Sequence, residues 1–188
     1  MINEVKEPEI DKKLLDIRFN ANKFNQKELI DTWLEIIDGI INYAEKNKIY
    51  DLEELDKEQI ISDFMINIFG DFENEIYNLD KEDYDLNVTN KYLDKIVNTL
   101  KLSDNLYENI LRCKTFNLFR LGEYAQGEEV MLALIKEKNN SIYPYVELVD
   151  CYQMIKDFDK ARYYYDLGLK QTGLEDMGVL EERKDYFE

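Results

Sequence analysis

The sequence predicts an all-α fold, and three observations predict it. Apolar residues recur three and four positions apart along most of the chain, no segment alternates with a period of two, and one stretch matches itself at an offset of 34 residues. The composition agrees: 188 residues carry only 7 Gly and 2 Pro, Pro8 and Pro144, so long helices are easy and a fold of many tight turns is disfavoured. A hydrophobic fraction of 45%, with 14 Tyr and 9 Phe, supplies a core despite a net charge of −17.

The elements follow in order. Residues 1 to 9 read as a mobile tail, and a short helix runs from Asp11 to Asn20. Asn25 is placed to cap a helix from Gln26 to Asn47, whose buried stripe is Leu29, Trp33, Ile36, Ile37, Ile40 and Ala44. Gly39 inside it admits a close neighbour, and Trp33 on the stripe reads as core. After a polar connection from Lys48 to Leu55, Asp56 caps a helix through Asn78 with Ile60, Ile61, Phe64, Ile68, Phe72 and Ile76 on its apolar face. Asp80 to Asn87 is an acidic loop. A helix from Val88 to Leu100 then buries Tyr92, Leu93, Ile96 and Leu100. Ser103 caps a helix that ends at Gly122. Helices over Ala125 to Lys138, Tyr143 to Lys156, Phe158 to Lys170 and Glu175 to Phe187 complete the chain, punctuated at Asn139-Asn140-Ser141 and Thr172-Gly173.

Composition argues against most chemistry. There is no histidine, which removes the commonest general base, metal ligand and triad partner together. No phosphate-binding glycine loop, GxSxG elbow or CxxC pair occurs. Asp80, Glu82 and Asp85 lack the glycine and the closing glutamate of a calcium loop. Neighbouring carboxylates such as Glu53 with Glu54 and Glu181 with Glu182 are expected by chance among 41 acidic residues. Cys113 and Cys151 lie in apolar helical patterns and read as buried thiols. The expectation is therefore a non-enzymatic protein with no cofactor and no metal. The start from Met1 to Ile10 has no apolar core of a signal peptide, and no run reaches the roughly 18 apolar residues of a membrane span, so the expected compartment is the cytoplasm.

Charge is unevenly spread. Thirteen acidic residues lie between Asp51 and Asp85 against Lys57 and Lys81. This disfavours direct nucleic-acid binding. Two readings stand: a solvated face with acidic helix N-termini, or a patch of Asp71, Glu73, Glu75, Asp80, Glu82, Asp83 and Asp85. Such a patch would attract a basic partner or imitate a nucleic-acid backbone, as an inhibitor of a nucleic-acid-binding protein would.

The 34-residue offset places Leu121-Gly122-Glu123-Tyr124 on Ile155-Lys156-Asp157-Phe158, Gly127 on Ala161, Met131 on Tyr165 and Ile135 on Leu169. Small residues coincide where helices cross closely, and aromatics coincide where a turn needs plugging. At these residues the chain resembles the tetratricopeptide repeat (TPR) family. The unit from Ile142 to Glu175 carries Tyr145, Leu148, Tyr152, Phe158, Ala161, Tyr165 and Gly168 at the family's positions. It has Lys156 where a glycine is usual and Gly173 where a proline is usual. The unit from Glu108 to Ser141 matches in its second half, through Gly122, Tyr124, Gly127, Met131 and Leu134, but has Lys114 and Thr115 in its first helix. The chain is also similar to helical-repeat proteins of low-GC bacteria that stand beside a zinc-binding motif, whose ligands are absent here.

The resemblance implies residues 1–107 as an acidic helical bundle and 108–188 as two repeats plus a capping helix, forming one continuous body with a right-handed superhelical C-terminal half. It also implies a partner protein or peptide on the inner wall. Mapped residue by residue, that wall holds Asn109, Arg112, Phe116, Phe119 and Arg120, then Tyr143, Val146, Asp150, Gln153 and Met154. Arg112 and Arg120 with two phenylalanines suit an acidic or C-terminal carboxylate peptide. Alternatively Phe116 and Phe119 pack against the N-terminal helices and close the groove. A homo-oligomer through terminal apolar faces is a further expectation.

Overall fold

The computed structural model describes residues 6–80, 82–138, 140–171 and 173–187. Among these the chain is helical with no strand; a single isolated bridge pairs Asp51 with Lys101. The expected tail over residues 1–5, and the turn positions Asn139 and Thr172, lie outside the described residues. The chain divides into two compact units, one reaching Ile110 and the other beginning at Leu111.

The first unit contains α1 (Pro8–Asn20), a 3₁₀ turn (Ala21–Lys23), α2 (Gln26–Asn47), α3 (Leu52–Glu58), α4 (Met65–Asn78) and α5 (Leu86–Thr99). Its centre is α2. Asn25 Oδ1 accepts from the Glu28 amide at 2.9 Å and Glu28 Oε2 accepts from the Asn25 amide at 3.0 Å, a capping box that satisfies two orphan donors. Helices α1, α4 and α5 all pack on α2, so its buried surface is wider than one stripe: Ile30, Leu34 and Ile41 join Trp33, Ile36, Ile37, Ile40 and Ala44, while Leu29 is half-buried. A methyl on Gly39 would run into the Ile10 side chain of α1, so the glycine does permit the expected close approach. Tyrosine hydroxyls tie the α5 side to α2: Tyr84 donates to Asp31 at 2.7 Å and Tyr92 to Asp38 at 2.6 Å.

Three expectations here are corrected. Helix α1 begins at Pro8 rather than Asp11, because proline suits the first helical turn. The Lys6 and Glu7 amides donate to the Gln59 and Ile60 carbonyls, so residues 6–9 are not a tail. The single helix expected from Asp56 to Asn78 is two. Gln59 adopts a left-handed conformation (φ 51°) that ends α3, and Asp56 Oδ1 instead accepts from the Met65 amide at 2.7 Å, capping α4 from the preceding helix. Ile60 and Ile61 are buried in the link, whereas Phe64 stands at the N-cap position of α4 and is 66% exposed.

Helix α6 (Asp104–Arg120) runs across the division and begins where Ser103 was expected to cap it, with the Ser103 carbonyl accepting from the Tyr107 amide. The second unit continues with α7 (Tyr124–Glu137), α8 (Tyr143–Met154), α9 (Phe158–Leu169), α10 (Met177–Glu181) and a 3₁₀ helix (Glu182–Phe187). The last expected helix, Glu175 to Phe187, is therefore a short α segment that tightens into 3₁₀.

The sequence offset reappears in the backbone. Helices α6 and α8 end at Arg120 and Met154, 34 apart, and α7 and α9 start at Tyr124 and Phe158, also 34 apart. Gly122 (φ 84°) and Lys156 (φ 63°) take the same left-handed conformation. The Glu123 amide donates to the Leu118 carbonyl at 2.8 Å and the Asp157 amide to the Tyr152 carbonyl at 2.9 Å. Both turns thus close the preceding helix with the bonds of a Schellman motif. Lysine holds a glycine's conformation at position 156, at a steric cost that glycine avoids. Lys156→Gly is expected to raise stability by about 0.5–1 kcal/mol, and Gly122→Ala to lower it by about 1 kcal/mol or more, both measured by urea denaturation. Equal effects at the two sites would show that the backbone requirement is not the cause.

Candidate interaction surface

The wall residues expected from α6 and α8 fall into three groups. Phe119 is core: it is 2% exposed, meets Tyr152 edge-on with ring centres 4.9 Å apart, and lies against Tyr124 at 5.5 Å. A methyl on Gly127 would sit 2.7 Å from its ring and 3.4 Å from the Thr115 carbonyl. The expectation that Phe119 touches a partner is corrected, because its ring is buried against Gly127, Tyr124 and Tyr152. Phe116 and Arg120 are half-buried, with the Arg120 guanidinium 5.4 Å from the centre of the Phe116 ring. Gln153 is half-buried and Met154 is 41% exposed, one residue before the turn.

Arg112, Tyr143 and Asp150 are engaged within the chain. Arg112 Nε donates to Glu147 Oε2 at 3.2 Å, and its guanidinium lies 5.2 Å from the centre of the Tyr143 ring. Glu147 is 1% exposed and also accepts from Cys151 Sγ at 3.4 Å. Burial raises the Glu147 carboxyl above its ordinary value, and Arg112 and the Cys151 thiol pull it partly back. Burial likewise pushes the Cys151 thiol well up, with the adjacent Glu147 carboxylate adding to it. Asp150 forms a two-pronged pair with Arg183, Nε to Oδ1 at 3.1 Å and Nη2 to Oδ2 at 2.8 Å. The Tyr143 hydroxyl donates to Asp176 Oδ2 at 3.0 Å.

Glu147, Arg183 and a further cluster escaped the sequence reading. Glu128 of α7 accepts from the Tyr164 hydroxyl at 2.5 Å and from Lys160 Nζ at 3.1 Å, both on α9. Burial raises Glu128, but these hydrogen bonds win and hold its carboxyl below the ordinary range. The spacings of Arg112 to Glu147, Asp150 to Arg183 and Glu128 to Lys160 all lie close to 34 residues, so each pair joins segments about one such interval apart. Glu147 had a readable signal: it is the lone charge in the run Tyr145-Val146-Glu147-Leu148-Val149.

The repeat-equivalent Tyr124 and Phe158 are 42% and 52% exposed and, with Ile155, Lys156, Asp157 and Asp159, line an open depression beside the turns. They do not plug the turns as expected. The left-handed residue and the backbone bonds close them instead.

The acidic candidates serve several local purposes. Asp71 pairs with Arg18 Nη2 at 2.5 Å, and the same guanidinium bonds Asp63. Asp80 Oδ1 accepts from the Glu82 amide, and Asp85 caps α5 through the Asn87 amide. Glu75 is raised by burial and by nearby Asp71. Glu73 is half-buried, and Glu82 and Asp83 are exposed. Among the described residues no group of three or more Cys, Asp or Glu is arranged to hold a metal, and no helix is long and apolar enough to cross a membrane.

No protein-family model, curated protein or solved structure matches the chain.

Proposed function

We propose that the protein is a non-enzymatic interaction module, an adaptor or regulator whose α6–α9 helices form a TPR-like array that binds another protein. One observation carries the reading: the helix–turn–helix backbone of α6–α7 recurs 34 residues later in α8–α9, down to the left-handed residue and the closing bonds. An array of this kind presents successive first helices side by side, and such surfaces hold peptides and helices. Cross-pairs at near-34 spacing between successive helices support it further.

At the turn-proximal end of the α6–α8 wall Met154 is 41% exposed, and half-buried Arg120 occupies the equivalent position on α6. Arg112 is unsuited to a test by charge reversal, because a second carboxylate beside buried Glu147 would unfold the unit. Arg120→Glu with Met154→Glu is the better probe. Tagged protein purified from its native host is expected to retain a defined partner that the double variant releases at least tenfold faster. An unchanged partner set on a variant with unchanged circular dichroism would count against this surface.

A further inference from the structure

Helix α1 lies along the link between α3 and α4. Asp11 Oδ1 accepts from the Ser62 amide and from the Ser62 hydroxyl, both at 2.6 Å. Two turns later Arg18 bonds Asp63 through one nitrogen and Asp71 through the other. Asp11, Leu15 and Arg18 stand at i, i+4 and i+7, so Leu15 is carried on the side of α1 that faces the link, and Phe19 lies one turn beyond it. Across the contact, Phe64 directly follows Asp63, and Ile66 stands three positions after that aspartate. One ion cluster thus joins the two stretches that carry these four apolar side chains. None of the four is in the core: Leu15 is 40% exposed, Phe19 80%, Phe64 66% and Ile66 52%.

A single exposed phenylalanine needs no account, but a group of apolar side chains left in water around one cluster marks an interaction site. Its electrostatic setting says what fits. Of the cations of α1, Lys13 pairs with Glu35 and Arg18 with two carboxylates, which leaves Lys12 as the unpaired one among the described residues. The stretch that carries Phe64 and Ile66 runs between Asp51 and Asp85, where thirteen acidic residues stand against two lysines. Burial raises the Asp56 and Glu75 carboxyls above their ordinary values, and neighbouring carboxylates add to it, Asp63 and Glu53 at the first and Asp71 at the second. Carboxylates here are close enough to oppose one another's ionisation. A cationic surface relieves that repulsion. A second copy of the chain would aggravate it, because each copy carries a net charge of −17.

We propose that Leu15, Phe19, Phe64 and Ile66 form a docking surface for a protein segment that sets apolar side chains among lysines or arginines. The apolar groups supply the anchor and contribute most where the partner seals them from water. The carboxylates select the sign of the partner's charge and speed the encounter. This surface is built wholly from residues of the first unit and shares none with the α6–α8 wall, so it goes beyond the interaction reading above.

The test uses the full chain and two fluorescein-labelled synthetic peptides of equal length and equal positive charge. One carries lysines with leucine and phenylalanine on a single helical face; the other has serine at each apolar position. The apolar peptide is expected to bind about tenfold more tightly by anisotropy. Phe19→Ser with Phe64→Ser is expected to remove that difference and to leave the affinity for the serine peptide unchanged. Both peptides are expected to bind more weakly as salt rises to about 0.5 M. Phe158→Ser with Tyr163→Ser, at exposed aromatics of the second unit, is expected to leave the difference intact. The proposal is overturned if the two peptides bind alike, if the Phe19 and Phe64 variant keeps the full difference, or if the second-unit variant loses as much. A wild-type dimer in sedimentation that the Phe19 and Phe64 variant loses would overturn the basic partner in favour of a second copy. Should the double variant lose its helical circular dichroism, Phe19→Ser alone, at the more exposed position, takes its place with the same expected direction. None of these substitutions touches Arg120 or Met154, so failure here is distinguishable from failure of the α6–α8 reading.

Discussion

Arg112→Met is expected to destabilise the second unit by about 3–5 kcal/mol, because it leaves the Glu147 carboxyl buried without its cation. The loss is not the net worth of the ion pair. Replacing both partners, as Arg112→Met with Glu147→Met, is expected to recover most of the stability, since a well-packed apolar pair of similar volume avoids both desolvation costs. The pH dependence separates this cause from lost packing of the arginine stem. Burial already lifts the Glu147 carboxyl above its ordinary value near 4.5. A carboxyl raised on folding contributes stability below its unfolded value and loses it as pH rises through the folded one. Removing Arg112 raises it further, so the gap between Arg112→Met and the wild type is expected to be small near pH 4 and to widen towards pH 7. Urea denaturation followed by hydrogen exchange in α8 measures it. The lone Trp33 lies in the first unit and serves as an internal control by its fluorescence. A gap independent of pH, or a double variant no better than the single, would show that the pair is not the source.

The behaviour of Arg112 marks what the sequence could and could not convey. Periodicity locates helices because the backbone repeats every 3.6 residues, and capping residues locate their ends; the start of α2 is read from Asn25 and its course from the apolar spacing. Local rules failed at Gln59, a non-glycine residue that takes a left-handed conformation inside a run of helical apolar spacing. Gln59 gives no stop signal, and so the break between α3 and α4 was invisible. The 34-residue recurrence of helix ends was legible, since the turn residues around Gly122 and Lys156 recur at that distance. Which wall residues remain available was not legible, because that depends on partners far along the chain. Arg112 and Asp150 have the look of surface recognition residues until Glu147 and Arg183 are seen beside them, 35 and 33 positions away. Sequence periodicity carries position on a helix but not the pairing of charges between helices.

Phe119→Ala is expected to cost about 3–5 kcal/mol, the range for truncating a buried aromatic. The Phe119 ring is held between Tyr152 and Tyr124, and it fills the space that any side chain at 127 would enter. Gly127→Ala therefore has two opposed effects. Alanine is the better helix former by about 1 kcal/mol, while its methyl meets a ring that cannot retreat, an overpacking cost of about 1–3 kcal/mol. The steric term is expected to win, so Gly127→Ala alone is destabilising. In the Phe119→Ala background the clash is gone and only the helix preference remains, so the same substitution is expected to become stabilising. This change of sign is a coupling that a double-mutant cycle reads directly. Thirty-four residues later the chain has Gln153 in place of Phe119 and a fully buried Ala161 in place of Gly127. The residue pair thus changes together along the sequence: a phenylalanine goes with a glycine, and a glutamine with an alanine. Additive effects of Phe119→Ala and Gly127→Ala would break that account, because the glycine at 127 would then have a cause other than the ring it faces.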